Sequence, residues 1–401
     1  MNTFRAFRSR NYTLYFFGRG VSQFGTWMQR TAVVWLVYSI TKSPFLLGLT
    51  VFAEQFPSFL FSIAGGVAAD RYNRYKIIKI MQILSMIQSV LLAVLLYSGH
   101  AAVWAILALS VLLGVINAFD VPARQSLLHE AVADQSDLAN AVSLTTATAC
   151  LAQLLAPTAS MFVVNKWGAA VCFLINAGSF GGVYLSIVLM KLRPYTAKAV
   201  RKKALHEFAE GFSYLKNTPS VGMIIIMLSL ISLLVLPYTT LLPVFAKVVF
   251  NGNALTFGYI QSFTGVGAVI GTIYLASRRP EAQLKKVLFI SSLILCLGLI
   301  WFALTQQFAL AMVFATLTGF GSIAQYAISN IIVQSESAPE MRGRAIGVLL
   351  MAIFGTVPLG SLLVGAVSQH IGAPVTVLCE GIAGVLITLG FTKFLLRSKD
   401  Q

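Results

Sequence analysis

Runs of about twenty apolar residues follow one another along this chain, each long enough to cross the hydrocarbon core of a bilayer. A bilayer interior supplies no water to bond a bare backbone, so such runs must close their own hydrogen bonds as helices. With breaks placed at charge, Gly and Pro, twelve spans result: 12–40, 44–68, 76–97, 102–122, 137–164, 168–191, 219–247, 254–277, 285–304, 307–333, 342–369 and 373–396. They use about 240 residues, which leaves short connections and no large domain outside the membrane. Composition agrees, with 57% of the 401 residues apolar and 10% charged, against about 25% charged in an average globular domain. A soluble enzyme, a secreted disulfide scaffold and a disordered regulator are excluded. The expected class is an all-α membrane protein with twelve transmembrane helices.

The longest hydrophilic stretch, 193–218, separates an N-terminal six-helix lobe, 1–192, from a C-terminal one, 219–401. Within it Leu205, Phe208, Ala209, Phe212 and Leu215 recur at helical spacing behind Arg201, Lys202 and Lys203. That is the pattern of a short amphipathic helix on an anionic membrane surface, serving either as a plain tether or as a regulatory element. Loop charge sets the orientation. Lys42, Lys166 and Lys247 fall on one side, Arg19 and Arg30 lie inside the first span, and the rest of the 29 Lys and Arg lie on the side of the termini. Positive charge collects in the cytoplasm, so both termini are expected there. The same asymmetry accounts for the net charge of +16 without a nucleic-acid partner. Met1 to Asn11 is polar and basic, and the apolar run after it is too long for the core of a cleaved signal. Cys150, Cys172, Cys296 and Cys379 sit singly in apolar stretches, so no disulfide framework or zinc site is indicated.

Charge inside the spans marks function, because an ionisable group at mid-bilayer costs about 2.5–3.5 kcal/mol on insertion scales and turns toward a partner or a wet cavity. Arg30 and Glu54 each lie about ten residues from the same end of spans one and two, hence about 15 Å deep. Opposite charges at one depth on adjacent antiparallel helices predict an ion pair. Arg19 shares a helical face with Arg30, and Ser22, Gln23 and Thr26 lie near the same line. This stripe is expected to line a central cavity. Thr146, Gln153 and Ser160 in span five, and Gln325 and Ser329 in span ten beside Asn330, form similar lines, read either as cavity lining or as interhelical bonding. Trp27, Trp35, Tyr38 and Tyr238 are candidate cavity walls. Pro237 and Pro243 predict a broken seventh helix near the outer gate. A carboxylate held against an arginine stays charged, so Glu54 takes a proton only when the pair parts; it is either a coupling group or a structural, cargo-competing pair. Glu380 in span twelve is a second proton-coupling candidate. Two arginines offset by one glutamate leave the site positive, which favours an anionic or carboxylate-bearing cargo.

After the second span stands Gly65-Gly66-Val67-Ala68-Ala69-Asp70-Arg71-Tyr72-Asn73-Arg74. Its glycines allow close helix approach, and its charges sit at the membrane edge. This resembles the signature loop of the major facilitator superfamily. A narrower likeness runs through Gly25-Thr26-Trp27-Met28-Gln29, Asp120-Val121-Pro122-Ala123-Arg124-Gln125, Phe173-Leu174-Ile175-Asn176-Ala177, Leu236-Pro237-Tyr238-Thr239 and Met341-Arg342-Gly343-Arg344. These segments are similar to the enterobactin-exporter-like branch of that superfamily. The resemblance implies two pseudo-symmetric six-helix lobes, a bacterial inner-membrane location, and export of a siderophore- or drug-like molecule driven by protons. Span five departs from the branch, with Gln153 where an Arg is typical and Ala156 and Ser160 in place of glycines.

Asp70, Arg71, Arg74, Asp120 and Arg124 are expected to cluster at the ends of spans two and four, either as a gate lock or as a static brace. The expected function is a secondary active exporter working by alternating access, with cargo held between the lobes. A proton-coupled importer or a facilitator is the alternative. No His–Glu metal constellation or phosphate-cradling Gly-Lys-Ser/Thr loop is present, so an enzyme or an ATP-driven pump is not expected, nor is any cofactor. The expected state is a monomer in the lipid bilayer.

Overall fold

The apolar runs dictate helix almost throughout the computed structural model, which describes residues 4–99, 101–191, 210, 213–277 and 283–396. The long helices are α1 (Arg10–Thr41), α2 (Pro44–Arg71), α3 (Arg74–Tyr97), α4 (Val103–Ala131), α5 (Leu138–Trp167), α6 (Ala169–Leu189), α7 (Pro219–Leu234), α8 (Ala254–Ala276), α9 (Leu284–Leu304), α10 (Phe308–Glu336), α11 (Arg342–Ile371) and α12 (Ala373–Gly390). Among the described residues there is no strand. Eleven segments are long and apolar enough to cross a membrane, α7 counted with its continuation to Val249. The first helix falls short of that measure, because Asn11, Thr13, Arg19, Ser22, Gln23, Gln29 and Arg30 dilute its apolar content.

Two spans are shaped by proline. The fourth was expected to stop at Pro122 but runs on to Ala131. Proline removes one amide donor, which frees the carbonyl four residues back without ending the helix. That carbonyl belongs to Ala118, and Gly65 of α2 packs directly on it, so closely that a Cβ would collide. Gly66 meets nothing, so only one of the paired glycines makes the expected close approach. The seventh span breaks as its prolines predict. After Leu234 the chain tightens into a 3-10 segment, Leu236–Leu241, and closes with a π turn, Phe245–Val249.

The helices gather in two units, Met1–Val37 with Ala53–Arg201, and Tyr38–Phe52 with Lys202–Gln401. The first is packed around Tyr12, Ile78, Ala123, Leu127 and Ile187. A 3-10 turn, Arg5–Arg8, is tied across one end of this core: Arg5 pairs with Asp137 at 2.9 Å, and Ser9 donates to the Ala131 carbonyl at 2.6 Å. In the second unit the start of α2 is bound to α11, with Gly48 against the Ser361 carbonyl, Gly365 against that of Pro44, and Ser43 donating to Gln369 at 2.8 Å.

The two units repeat one another locally. Gly168 opens α6 at φ 88° and Gly372 opens α12 at φ 83°; Lys42 and Asn251 take positive φ just ahead of α2 and α8. Gly114 of α4 lies on the Glu54 carbonyl of α2, and Gly319 of α10 lies on the Thr264 carbonyl of α8. Of the expected amphipathic stretch, Leu205, Phe208, Ala209 and Phe212 lie outside the described residues, as do the basic residues from Arg193 to Lys203. Residues 213–217 are helical. Here Glu210 pairs with Arg344 at 2.7 Å, and the Ala338 amide donates to the Tyr214 hydroxyl at 3.0 Å.

Candidate functional site

The polar face of α1 supplies the site of the first unit. Arg30 donates through Nε to Glu54 Oε1 of α2 at 2.5 Å. Antiparallel neighbours placed these charges at one depth, and Gly114 presses α4 against the backbone of Glu54. The Arg30 side chain is 37% exposed and that of Glu54 14%, so the acid is enclosed while the guanidinium keeps an open edge. Trp27, one turn earlier, stands 5.9 Å from the guanidinium carbon and adds its π-face to that edge.

Behind this pair the same helix is locked into a buried amide network. Gln29 donates to Gln88 of α3 at 3.0 Å, and its own oxygen accepts from Ser89 at 2.7 Å and from Asn176 of α6 at 2.9 Å. Ser179 donates to Asn176 Oδ1 at 2.9 Å. Gly25 makes room for it, since a Cβ there would strike Asn176 and Ser179. These bonds fix the rotation of α1 and therefore the direction of Arg30.

Three turns earlier on α1, a narrow recess is lined by Phe16, Arg19, Gly20, Gln23, Thr145, Thr148 and Ala149. Arg19 has no carboxylate partner among the described residues. Its span-five neighbours in the recess are Thr145 and Thr148. Thr146 and Gln153 are exposed, whereas Ser160 is fully buried and donates to the Met28 carbonyl at 2.8 Å. Thr26 is half-buried beside the stripe, and Ser22 is buried with its hydroxyl unbonded.

Of the five charges expected to cluster, Asp70 lies near Arg74 and Asp120 pairs with Arg124. Asp70 and Arg74 are 3.9 Å apart at the exposed end of α2, and Arg74 is held instead by Glu130 of α4 at 2.7 Å and by the Ala69 carbonyl at 3.0 Å. Arg71 is exposed. Asp120 and Arg124 are both buried and pair with each other one turn apart on α4, while Gln82 of α3 donates to Asp120 at 3.0 Å. Because α4 continues through Pro122, this pair is turned inward, away from the loop. Glu130 and Gln82 were missed. The buried polar spacing of Gln82, Ser85 and Ser89 on α3 was the available signal for the latter.

In the second unit, Tyr238 sits in the broken stretch of span seven, buried, with its hydroxyl bonded to Thr318 of α10 at 3.4 Å and to Thr264 of α8. Gln325 is 2% exposed with its amide nitrogen unbonded, and Asn330 is engaged by Gln334. Glu380 is also buried, and neither of its oxygens is bonded.

Comparison with known proteins follows the same lines. A family model described as transmembrane secretion effector matches residues 1–401. The staphyloferrin A transporter of Staphylococcus aureus is 26% identical over 94% of this chain and 95% of its own length. The multidrug efflux pump Tap of Mycolicibacterium fortuitum is 24% identical over 89% of this chain and 88% of its own. Among solved structures, the nucleoside transporter NupG superposes with a TM-score of 0.75 at 14% identity, over 97% of this chain and 99% of that one.

Proposed function

This chain belongs to the transmembrane secretion effectors of the major facilitator superfamily, a multi-pass membrane transporter and not an enzyme, and we propose that it exports a small anionic molecule by proton-coupled alternating access. The observation that carries the cargo class is the charge of the first-unit site. Arg19 and Arg30 present two guanidinium groups against the single carboxylate of Glu54, and Arg30 spends only its Nε on that acid. The open edge of Arg30 suits a carboxylate, which a guanidinium receives in a planar fork. Glu54 then competes with cargo for one cation, so binding of an anion loosens the pair. Gln23, Thr26 and Gln153 complete the candidate cargo contacts of the first unit, and Tyr238 and Gln325 are the candidate contacts within the second. Export is supported by the secretion and efflux relatives. The loop charges support both termini in the cytoplasm, and the bacterial transporters it resembles support an inner-membrane location. The Arg74–Glu130 and Asp120–Arg124 pairs, with Asp70 and Arg71, are assigned to gating.

Inside-out vesicles test this reading. Uptake of a radiolabelled carboxylate siderophore should rise when the lumen is acidified and should be competed by other polycarboxylates. Stronger binding of tetraphenylphosphonium than of the siderophore would overturn the anionic cargo. Equal uptake with and without a pH gradient would overturn the coupling.

A further inference from the structure

The local repeat between the units brings a buried acid into focus. Asn176 stands eight residues past the turn glycine Gly168, and Glu380 stands eight residues past the turn glycine Gly372. Both side chains are enclosed, with Asn176 wholly buried and Glu380 4% exposed. Their bonding differs completely. Asn176 donates to Gln29 at 2.9 Å and accepts from Ser179 at 2.9 Å. Neither oxygen of Glu380 has a hydrogen-bond partner, and no basic side chain pairs with it among the described residues.

The surroundings explain what such an acid can do. Tyr238, in the 3-10 stretch that follows α7, lies within electrostatic range of Glu380; Cys379 adjoins it on its own helix, and Cys296 of α9 faces the next turn through Gly384. None of these supplies positive charge. An ionised carboxylate enclosed without a cation or a donor is several kcal/mol unfavourable, and such groups neutralise instead. Glu380 is therefore an enclosed carboxyl with no partner to hold its charge. The irregular backbone after Val235 lies on the same side, and helix breaks of this kind are where transporter spans move.

We infer that Glu380 is the group that carries the coupled proton in the second unit, loading and releasing it as the broken segment around Tyr238 moves. The step is a simple transfer: hydronium gives its proton to the ionised carboxylate on one side, leaving water, and water removes it on the other. The inference rests on the proton-coupled reading above, and it assigns the role to Glu380 rather than to the arginine-bound Glu54.

Full-length protein in proteoliposomes separates the outcomes. With a carboxylate siderophore as cargo, Glu380→Gln should lose uptake driven by a pH gradient yet keep cargo exchange across the membrane at wild-type rate, because exchange moves no net proton. Glu380→Asp should restore part of the driven uptake. Dicyclohexylcarbodiimide, which attacks protonated carboxyls in apolar surroundings, should label Glu380 of the wild type, with labelling that falls as pH rises. Driven uptake retained in Glu380→Gln, or a wild-type Glu380 that resists the reagent at every pH, would overturn this assignment alone. A wild type indifferent to the gradient would instead bring down the coupled reading on which it rests.

Discussion

Glycine contacts place Glu54 and Thr264 in equivalent settings, each offering its carbonyl to a glycine of the helix two further on, Gly114 or Gly319. In the first unit this position holds a carboxylate tied to Arg30; in the second it holds a hydroxyl bonded to Tyr238. Around the turn glycines the chemistry reverses, with a neutral, saturated Asn176 in the first unit and an unbonded Glu380 in the second. The first unit therefore carries its acids paired, at Glu54 and Asp120, and the second buries one acid alone. A paired acid is fixed in charge and suited to holding geometry or meeting an anion. A lone enclosed acid is suited to changing its charge.

Stability measurements can break that contrast. The largest loss is expected for Asp120→Ala, which abandons the buried Arg124 cation and should cost about 3–5 kcal/mol, read as a collapse of thermal stability in detergent. A wild-type melting temperature would show that the pair is not structural. Removing the partner of Arg30 should cost less, since that guanidinium reaches an open edge: about 1 kcal/mol for Glu54→Gln. The same variant should bind a carboxylate siderophore more tightly, by calorimetry, and weaker binding would contradict the competition between acid and cargo. Ser160→Ala deletes one buried bond to the Met28 carbonyl and should cost about 1 kcal/mol, with transport intact. The smallest change is expected for Glu380→Gln, within about 0.5 kcal/mol of wild type, because no partner is lost. A large destabilisation there would mean that Glu380 is bonded after all.

The Arg30–Glu54 pair was legible in the sequence because it needs only helical rise and the antiparallel course of adjacent spans. Asp120 and Arg124 were expected at the end of span four, and their burial within a longer helix was not legible, since Pro122 resembles a helix end and its tolerance depends on Gly65 approaching the carbonyl it frees. The Gln29–Gln88–Asn176 network was not legible at all. It joins the first, third and sixth helices, and no local pattern states which helices become neighbours.

The polarity of α1 has a consequence for biosynthesis. Two arginines within it, each worth about 2.5–3.5 kcal/mol against insertion at mid-bilayer, keep this long helix below the hydropathy of the spans found among the described residues. Glu54 arrives only with the following helix, and the amide contacts of Gln29 only with α3 and α6. The ion pair therefore offsets part of the cost of burying Arg30 once α1 and α2 meet, before it ever meets a ligand.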